Sequence, residues 1–298
     1  MEPIKEKLKI IGLWGLGVIV VFGVGLRIYG SWHDEWSGYN ASTMISDGYC
    51  NIAVIPITGD IVPYAGAYLD ENGNEPTSVN PDDTLATLRW AENDSNVLGV
   101  LARIDSGGGS PVASEIIANG FKNSPLPVVA LIREIGTSGA YLLATGAKTI
   151  IASPFSDVGS IGVTMSYLEN SAQNIREGLE YVSLASAQFK DYGSPDKPLT
   201  AIERNLIERD LKIWHDQFVK EVAENRNMPL EQVAKLADGS SMAGTLALEN
   251  NLIDTLGDQE TAREWFGGCL GVSSGEMVFC GWYNIYMKAP KITAHLWF

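Results

Sequence analysis

From Asn51 onward the chain alternates short apolar runs with helical patterns, and that alternation narrows the fold more than any other feature. NIAVIPITGDIV (51–62), VLGVLARID (97–105) and PVVALIRE (127–134) have the length and aliphatic content of buried strands, while TLATLRWAEN (84–93) and PVASEIIANGF (111–121) carry helical spacing between them. Strands that stay apolar at nearly every position suit a sheet covered on both faces, so the pattern predicts βα units around a largely parallel sheet. TIIASP (149–154), IGVTM (161–165) and YVSLASAQ (181–188) extend the strand set, with SYLENSAQNIREGL (166–179) as a crossover helix. A long amphipathic helix is predicted over 200–225, opened by Thr200 and Glu203 at capping-box spacing. It would turn Ile202, Leu206, Ile207, Leu211, Trp214 and Phe218 toward a core. Shorter helices follow near 229–238 and 244–252.

The N-terminus has a different logic. Ile10 to Leu26 carries no charge and is close to the shortest helix that crosses a bilayer. Lys5, Lys7 and Lys9 precede it, which predicts a cytoplasmic N-terminus (1–9), a single membrane anchor (10–27) and an exported remainder. A cleaved signal peptide is the competing reading, but no A-x-A site follows Leu26. Residues 28–49, rich in Gly, Ser, Asn and Asp, read as a linker, and the folded part is expected from Cys50. The aromatic-rich tail 267–298 has no clear period and stays open between an oligomer-contact arm, a membrane-surface segment and an unstructured end. A net charge of −15 argues against nucleic acid as a partner. Cys50, Cys269 and Cys280 lack C-x-x-C spacing, so no zinc site is expected, and a Cys269–Cys280 bridge is left open.

Two glycine-containing turns end predicted strands, the position where parallel sheets gather their ligand sites. One is Gly136-Thr137-Ser138-Gly139-Ala140, and the other is Asp105-Ser106-Gly107-Gly108-Gly109. Ser138 reads either as a helix N-cap or as a nucleophile at a strand-to-helix turn. Glycine amides in the second loop would suit a developing oxyanion. A histidine base is hard to find: His33 lies in the linker, His295 in the tail, and His215 on the long helix among packing positions. A lysine serves instead only if burial lowers its pKa from ~10.4 by roughly 3 units. Lys190 ends the apolar run LASAQF and precedes the loop DYGSPDKP, which gives its side chain access to a cleft; an ordinary strand-end lysine is the plainer reading.

These residues together resemble the serine-lysine signal peptide peptidases of the SppA or protease IV type. The likeness runs from about Asn51 to Phe266 and rests on five stretches: the loop at 106–109, TSGAYLLA around Ser138, DVGSIGV (157–163), FKD (189–191) and GTLALENNLIDTLG (244–257). The resemblance implies a ClpP/crotonase-like α/β fold of repeated ββα units over residues 50–266. By position it makes Ser138 the nucleophile, Lys190 the general base, Ser160 the residue that orients the lysine, and Gly108 and Gly139 the oxyanion donors. It further implies cleavage of remnant signal peptides and other exposed hydrophobic segments at the cell membrane, no metal or cofactor, and a homo-oligomeric ring whose subunits complete each other's sites. Gly107, Ala140 and Lys148 depart from the family pattern, which has proline, glycine and an acid there. A crotonase-like acyl-CoA enzyme and a catalytically silent membrane scaffold are the rival expectations.

Overall fold

The computed structural model describes residues 45–66 and 77–280. The expected anchor and the tail beyond 280 lie outside them, and among the described residues no helix is long and apolar enough to cross a membrane. β1 (Ile52–Ile61) pairs in parallel with β2 (Ser78–Val79) on one side and β3 (Gly99–Gly109) on the other. β4 (Val128–Thr137), β5 (Thr149–Ala152) and β8 (Thr255–Leu256) continue the sheet in the order β2-β1-β3-β4-β5-β8. Where β4 runs past β5 it takes a new parallel neighbour, β6 (Asp157–Gly159). β6 in turn pairs antiparallel with β7 (Ser241–Ala243). At the point where β4 leaves β5, the buried Ser156 hydroxyl takes up the Ile132 carbonyl at 3.2 Å and the adjacent Arg133 carbonyl.

The helices α1 (Pro81–Asn93) and α2 (Pro111–Asn123) start by one device, a polar cap followed by proline at the first helical position. Asn80 accepts from the Asp83 amide at 3.0 Å and Ser110 from the Ala113 amide at 3.3 Å. α3 (Gly139–Ala144) follows β4, and α4 (Ser171–Arg176) is shorter than the expected crossover helix. α5 (Ala201–Arg226) begins on the anticipated capping box, with Thr200 and Glu203 bonded in both directions. α6 (Leu230–Leu236), α7 (Gly244–Glu249) and α8 (Gln259–Leu270) complete the set.

Two expected strands are absent: 161–165 and 181–188 carry no strand, and from 162 to 200 no residue is buried. Apart from Ile161, no residue of these stretches is buried, so hydrophobicity alone did not make them strands. Leu184 and Leu168 are 95% and 86% exposed, with Ile175, Leu179 and Val182 also open to solvent. The long helix departs in the same way. Ile202 and Trp214 are exposed, and its buried apolar face is confined to Phe218, Val219, Val222 and Ala223.

Ile52, Val54, Leu101, Val129, Leu131 and Ile151 form one face of the sheet and pack with Ala262 and Phe266 of α8 and with Met277. The alternate strand residues, such as Ile55, Ile57, Ile104 and Ile132, are equally buried and face the other way, toward the side of α1, α2 and α3. Both faces are covered, which is why the strands read as continuous apolar runs. Packing also extends past the expected domain limits of 50 and 266. Ile45 and Ser46 are buried, the Ser46 amide donates to Asp94 Oδ2 at 2.8 Å, and Met277 and Cys280 are buried as well. Residues 277–280 lie along the start of β1, with Asn51 N–H on Val278 O at 2.8 Å and Cys280 N–H on Ile52 O at 2.8 Å. This return brings Cys280 to Cys50, not to Cys269, and the two form a disulfide with Cα atoms 5.0 Å apart. Cys269 is an exposed free thiol at the end of α8.

A polar clamp ties α3 to the sheet's far end. The fully buried Tyr141 donates to Leu252 O at 2.8 Å. Arg226 grips Asp254 with two hydrogen bonds of 2.8 Å and reaches Asn251 O at 3.0 Å, while Asp254 Oδ2 also accepts from the Ile150 amide at 2.7 Å. Burial drives the Tyr141 phenol far up, opposed by the Arg226 charge. Burial also pushes the Asp254 carboxyl up, but the hydrogen bonds and charge of Arg226 outweigh it and hold the group below the usual aspartate value.

Two stability predictions follow from these ties. A disulfide that closes a loop of this length restricts the unfolded chain, so in a Cys269→Ser background, Cys280→Ser should lose about 2–4 kcal/mol of stability in calorimetry. An unchanged melting temperature would show that the strand-like return alone holds the ends. Because the folded Asp254 value is depressed, its contribution is complete above the unfolded value of ~3.9 and vanishes as pH falls through the folded one. The melting gap between the protein and Asp254→Asn should therefore be steady near neutral pH and shrink below about pH 4.

Candidate active site

The end of β4 makes a tight turn whose geometry a β-strand residue would not adopt unaided. Ser138 has φ 53° and ψ −126°, a positive φ that is rare for a residue with a side chain. The turn is held on both sides: the Ser138 amide donates to Gly159 O on β6 at 2.8 Å, and its carbonyl accepts the first helical bond from Leu142 at 3.0 Å. Ser138 occupies the cap position of α3, yet its hydroxyl makes no capping bond. It has no hydrogen-bond partner among the described residues and is only half-buried. The capping reading of this serine therefore fails, and a free hydroxyl stands at the strand-to-helix turn.

The second glycine run, expected as a loop, is the paired end of β3 and lies against it. Gly108 has φ +107°, and a Cβ there would sit 2.7 Å from the Gly139 nitrogen and 2.9 Å from Ser138 Cβ. Only a residue without a side chain permits this approach. Gly139 is also enclosed, since a Cβ on it would meet the Ser114 hydroxyl of α2. Gly108, Ser138 and Gly139 are thus brought together as the sequence suggested. The Gly108 amide donates to the Ser106 hydroxyl at 3.1 Å, and Ser106 donates to Gly59 O at 2.6 Å. In this conformation that amide belongs to the loop's own scaffold. The role of Ser106 as its organiser was not read from the sequence, although its place at the head of the glycine run was the available signal.

Ser160 adjoins the site through β6 and also has a positive φ of 52°. Its hydroxyl donates to Gly239 O at 3.0 Å, and its amide to Ser240 O at 3.0 Å, so it is committed to the β7 edge and does not meet a lysine. Lys190 is placed differently from expectation. It ends no strand, is exposed, and sits in a turn where its amide donates to Ala187 O at 3.1 Å. No hydrogen bond or ion pair joins its ammonium to Ser138, Ser160 or any other described residue. The desolvated base is therefore missing from the site of an isolated chain. His215 is half-buried on α5, while His33 and His295 lie outside the described residues. Among the described residues no group of three or more His, Cys, Asp or Glu side chains is arranged to hold a metal ion.

The chemistry available is that of a half-exposed hydroxyl on a strained turn, bordered by glycine backbone, with a base to be supplied. Comparison with known proteins agrees in direction. A putative protease of Methanocaldococcus jannaschii is 33% identical over 192 residues, 64% of this chain and 62% of that protein. A putative signal peptide peptidase SppA of Enterococcus faecium is 32% identical, covering 62% of this chain and 55% of its own. Protease 4 of Salmonella typhi is 30% identical over 67% of this chain and 33% of its own. The matches thus span about a third to two thirds of these relatives. A solved mutant of a membrane-bound stomatin-specific protease superposes with a TM-score of 0.49 at 15% identity, over 72% of this chain and 84% of that one. The model of peptidase family S49 matches residues 120–271, from the end of α2 through the Ser138 turn to the end of α8, and the chain belongs to that family.

Proposed function

We propose that this protein is a membrane-anchored serine endopeptidase that works by a Ser138–Lys190 dyad and cleaves remnant signal peptides and other exposed hydrophobic segments. The observation that carries it is the Ser138 turn, a non-glycine residue held at positive φ with its hydroxyl free beside the Gly108 loop. Membership of the peptidase family supports the reaction class. In the proposed mechanism neutral Lys190 removes the Ser138 proton, the alkoxide attacks the scissile carbonyl, and the Gly139 amide helps hold the oxyanion. Gly108 joins as the second donor once its amide turns from Ser106. Lys190 then protonates the leaving amine, and water deacylates the enzyme through the same base.

The base reaches the serine from a neighbouring subunit. The segment 162–200 supports this: it carries Lys190, has no fully buried residue, and exposes Leu168, Ile175, Val182 and Leu184. Apolar surface of this extent calls for a covering partner, and a ring of identical subunits lets each arm cover the next site. Packing there would also dry the Lys190 amine and turn it into a usable base. The fold is of the ClpP/crotonase type in this reading, with the apolar run 10–26 as anchor and Ser160 released toward the arriving lysine. The Cys50–Cys280 disulfide supports a domain outside the cytoplasm, where such bonds persist.

Ser138→Ala and Lys190→Ala should each lower casein or signal-peptide cleavage by on the order of 10³-fold or more while leaving the fold intact. Coexpressed in equal amounts, the two inactive variants should recover activity at about a quarter of the sites of random mixed rings. Recovery of none would place the dyad within one chain, and full activity in Lys190→Ala would remove the dyad altogether. In protoplasts or spheroplasts the free Cys269 should react with a membrane-impermeant maleimide; labelling only after lysis would put the domain in the cytoplasm.

A further inference from the structure

Lys190 is followed by an acid, and an acid is a poor neighbour for a lysine that has to lose its proton. A carboxylate close to an ammonium stabilises the charged form and raises its pKa, the opposite of what a general base needs. The fold deals with this acid explicitly. Asp191 Oδ2 accepts from the Tyr181 hydroxyl at 3.3 Å and from the Ser183 hydroxyl, and Asp191 Oδ1 faces the Lys197 ammonium at 3.3 Å. Lys197 also binds Glu203 Oε1 at 2.5 Å. The other Glu203 oxygen accepts the amide and hydroxyl of Thr200, both at 2.9 Å.

Glu203 is buried in the first turn of α5, where the helix N-terminus favours its charge. Lys197 thus bridges the two carboxylates, 2.5 Å from Glu203 and 3.3 Å from Asp191, while the helix N-terminus shares in holding the Glu203 charge. The same ammonium has a mechanical role. Among the described residues, Lys197–Glu203 is the one hydrogen bond or ion pair that joins the segment 162–199 to α5. The turn holding Lys190 is therefore fixed to the body of the protein through its neighbour's counter-ion. The remaining charged groups near this turn are Arg209 and Asp210 on α5, paired with each other at 2.9 Å, with Arg209 within electrostatic range of Tyr192.

We propose that Lys197 is a positioning residue for the reaction: by pairing Asp191 with Glu203 it cancels the acid beside Lys190 and fixes the turn that presents the Lys190 amine. The inference rests on the reading of Lys190 as the base. Asp191 is lowered and Lys197 raised in pKa, mainly through the hydrogen bonds from Ser183 and to Glu203 respectively, in keeping with both groups staying charged.

The test is the pH dependence of kcat/KM for a fluorogenic hydrophobic peptide, measured on the full-length assembled protein. Activity should rise with pH through the titration of the base. Lys197→Met leaves Asp191 uncompensated and should move the rising limb up by roughly 0.5–1 pH unit, the discount reflecting solvent around the pair. Asp191→Asn should move it down, Lys197→Arg should hold it, and Asp191→Asn with Lys197→Met should return it toward the parent position. A lower plateau with an unmoved limb in Lys197→Met, or a double variant that stays shifted upward, would overturn the proposal. If Lys197→Met does not fold, Lys197→Gln, which keeps a hydrogen-bond donor toward Glu203 without the charge, is read in its place, and an unmoved limb there overturns the proposal. Lys190→Ala separates the two readings. An active Lys190→Ala enzyme with the parent's limb removes the base assignment and this proposal with it, whereas an inactive one combined with unmoved limbs removes only the role of Lys197.

Discussion

The contact between the Gly108 loop and the Ser138 turn is the constraint around which the rest is built. Two strands, β3 and β4, run side by side, and the last residues of β3 meet the turn after β4 at glycine because no side chain fits between them. The unfavourable backbone at Ser138 survives because its neighbours over-determine it. Its amide is anchored to β6, its carbonyl starts α3, and every residue of that short helix is buried. The Tyr141 and Arg226–Asp254 clamp holds the same helix from behind. Strain of on the order of 1–3 kcal/mol is tolerable when the surroundings fix it so many times.

The serine turn is held by many contacts, and the lysine proposed as its base is not. Ser138 stands on a covered sheet, and Lys190 on a segment with no covered residue. That division accounts for how a lysine in water and a hydroxyl without a partner belong to one proposed reaction.

The core strands were legible because burial on both faces writes itself into the sequence as unbroken apolar runs, and β1, β3, β4 and β5 fall where those runs lie. The capping box at Thr200 was equally plain, since two residue types at fixed spacing suffice to make it. The failures share a cause, which is that the deciding partner lay elsewhere. Apolar stretches at 161–165 and 181–188 read as strands, yet among their residues only Ile161 is buried. Ser138 read as a cap or a nucleophile, and only the backbone angles and the uncommitted hydroxyl separate these. The pairing of Cys50 with Cys280 spans 230 positions, a separation on which local spacing is silent.

That disulfide also changes what damage means for this molecule. It joins the first turn of the domain to its last described residue, so nearly the whole domain is a covalent circle. A single cut at any point between Cys50 and Cys280 opens the circle but releases no fragment. The segment 162–200 can therefore be severed while both halves stay covalently joined through Cys50 and Cys280.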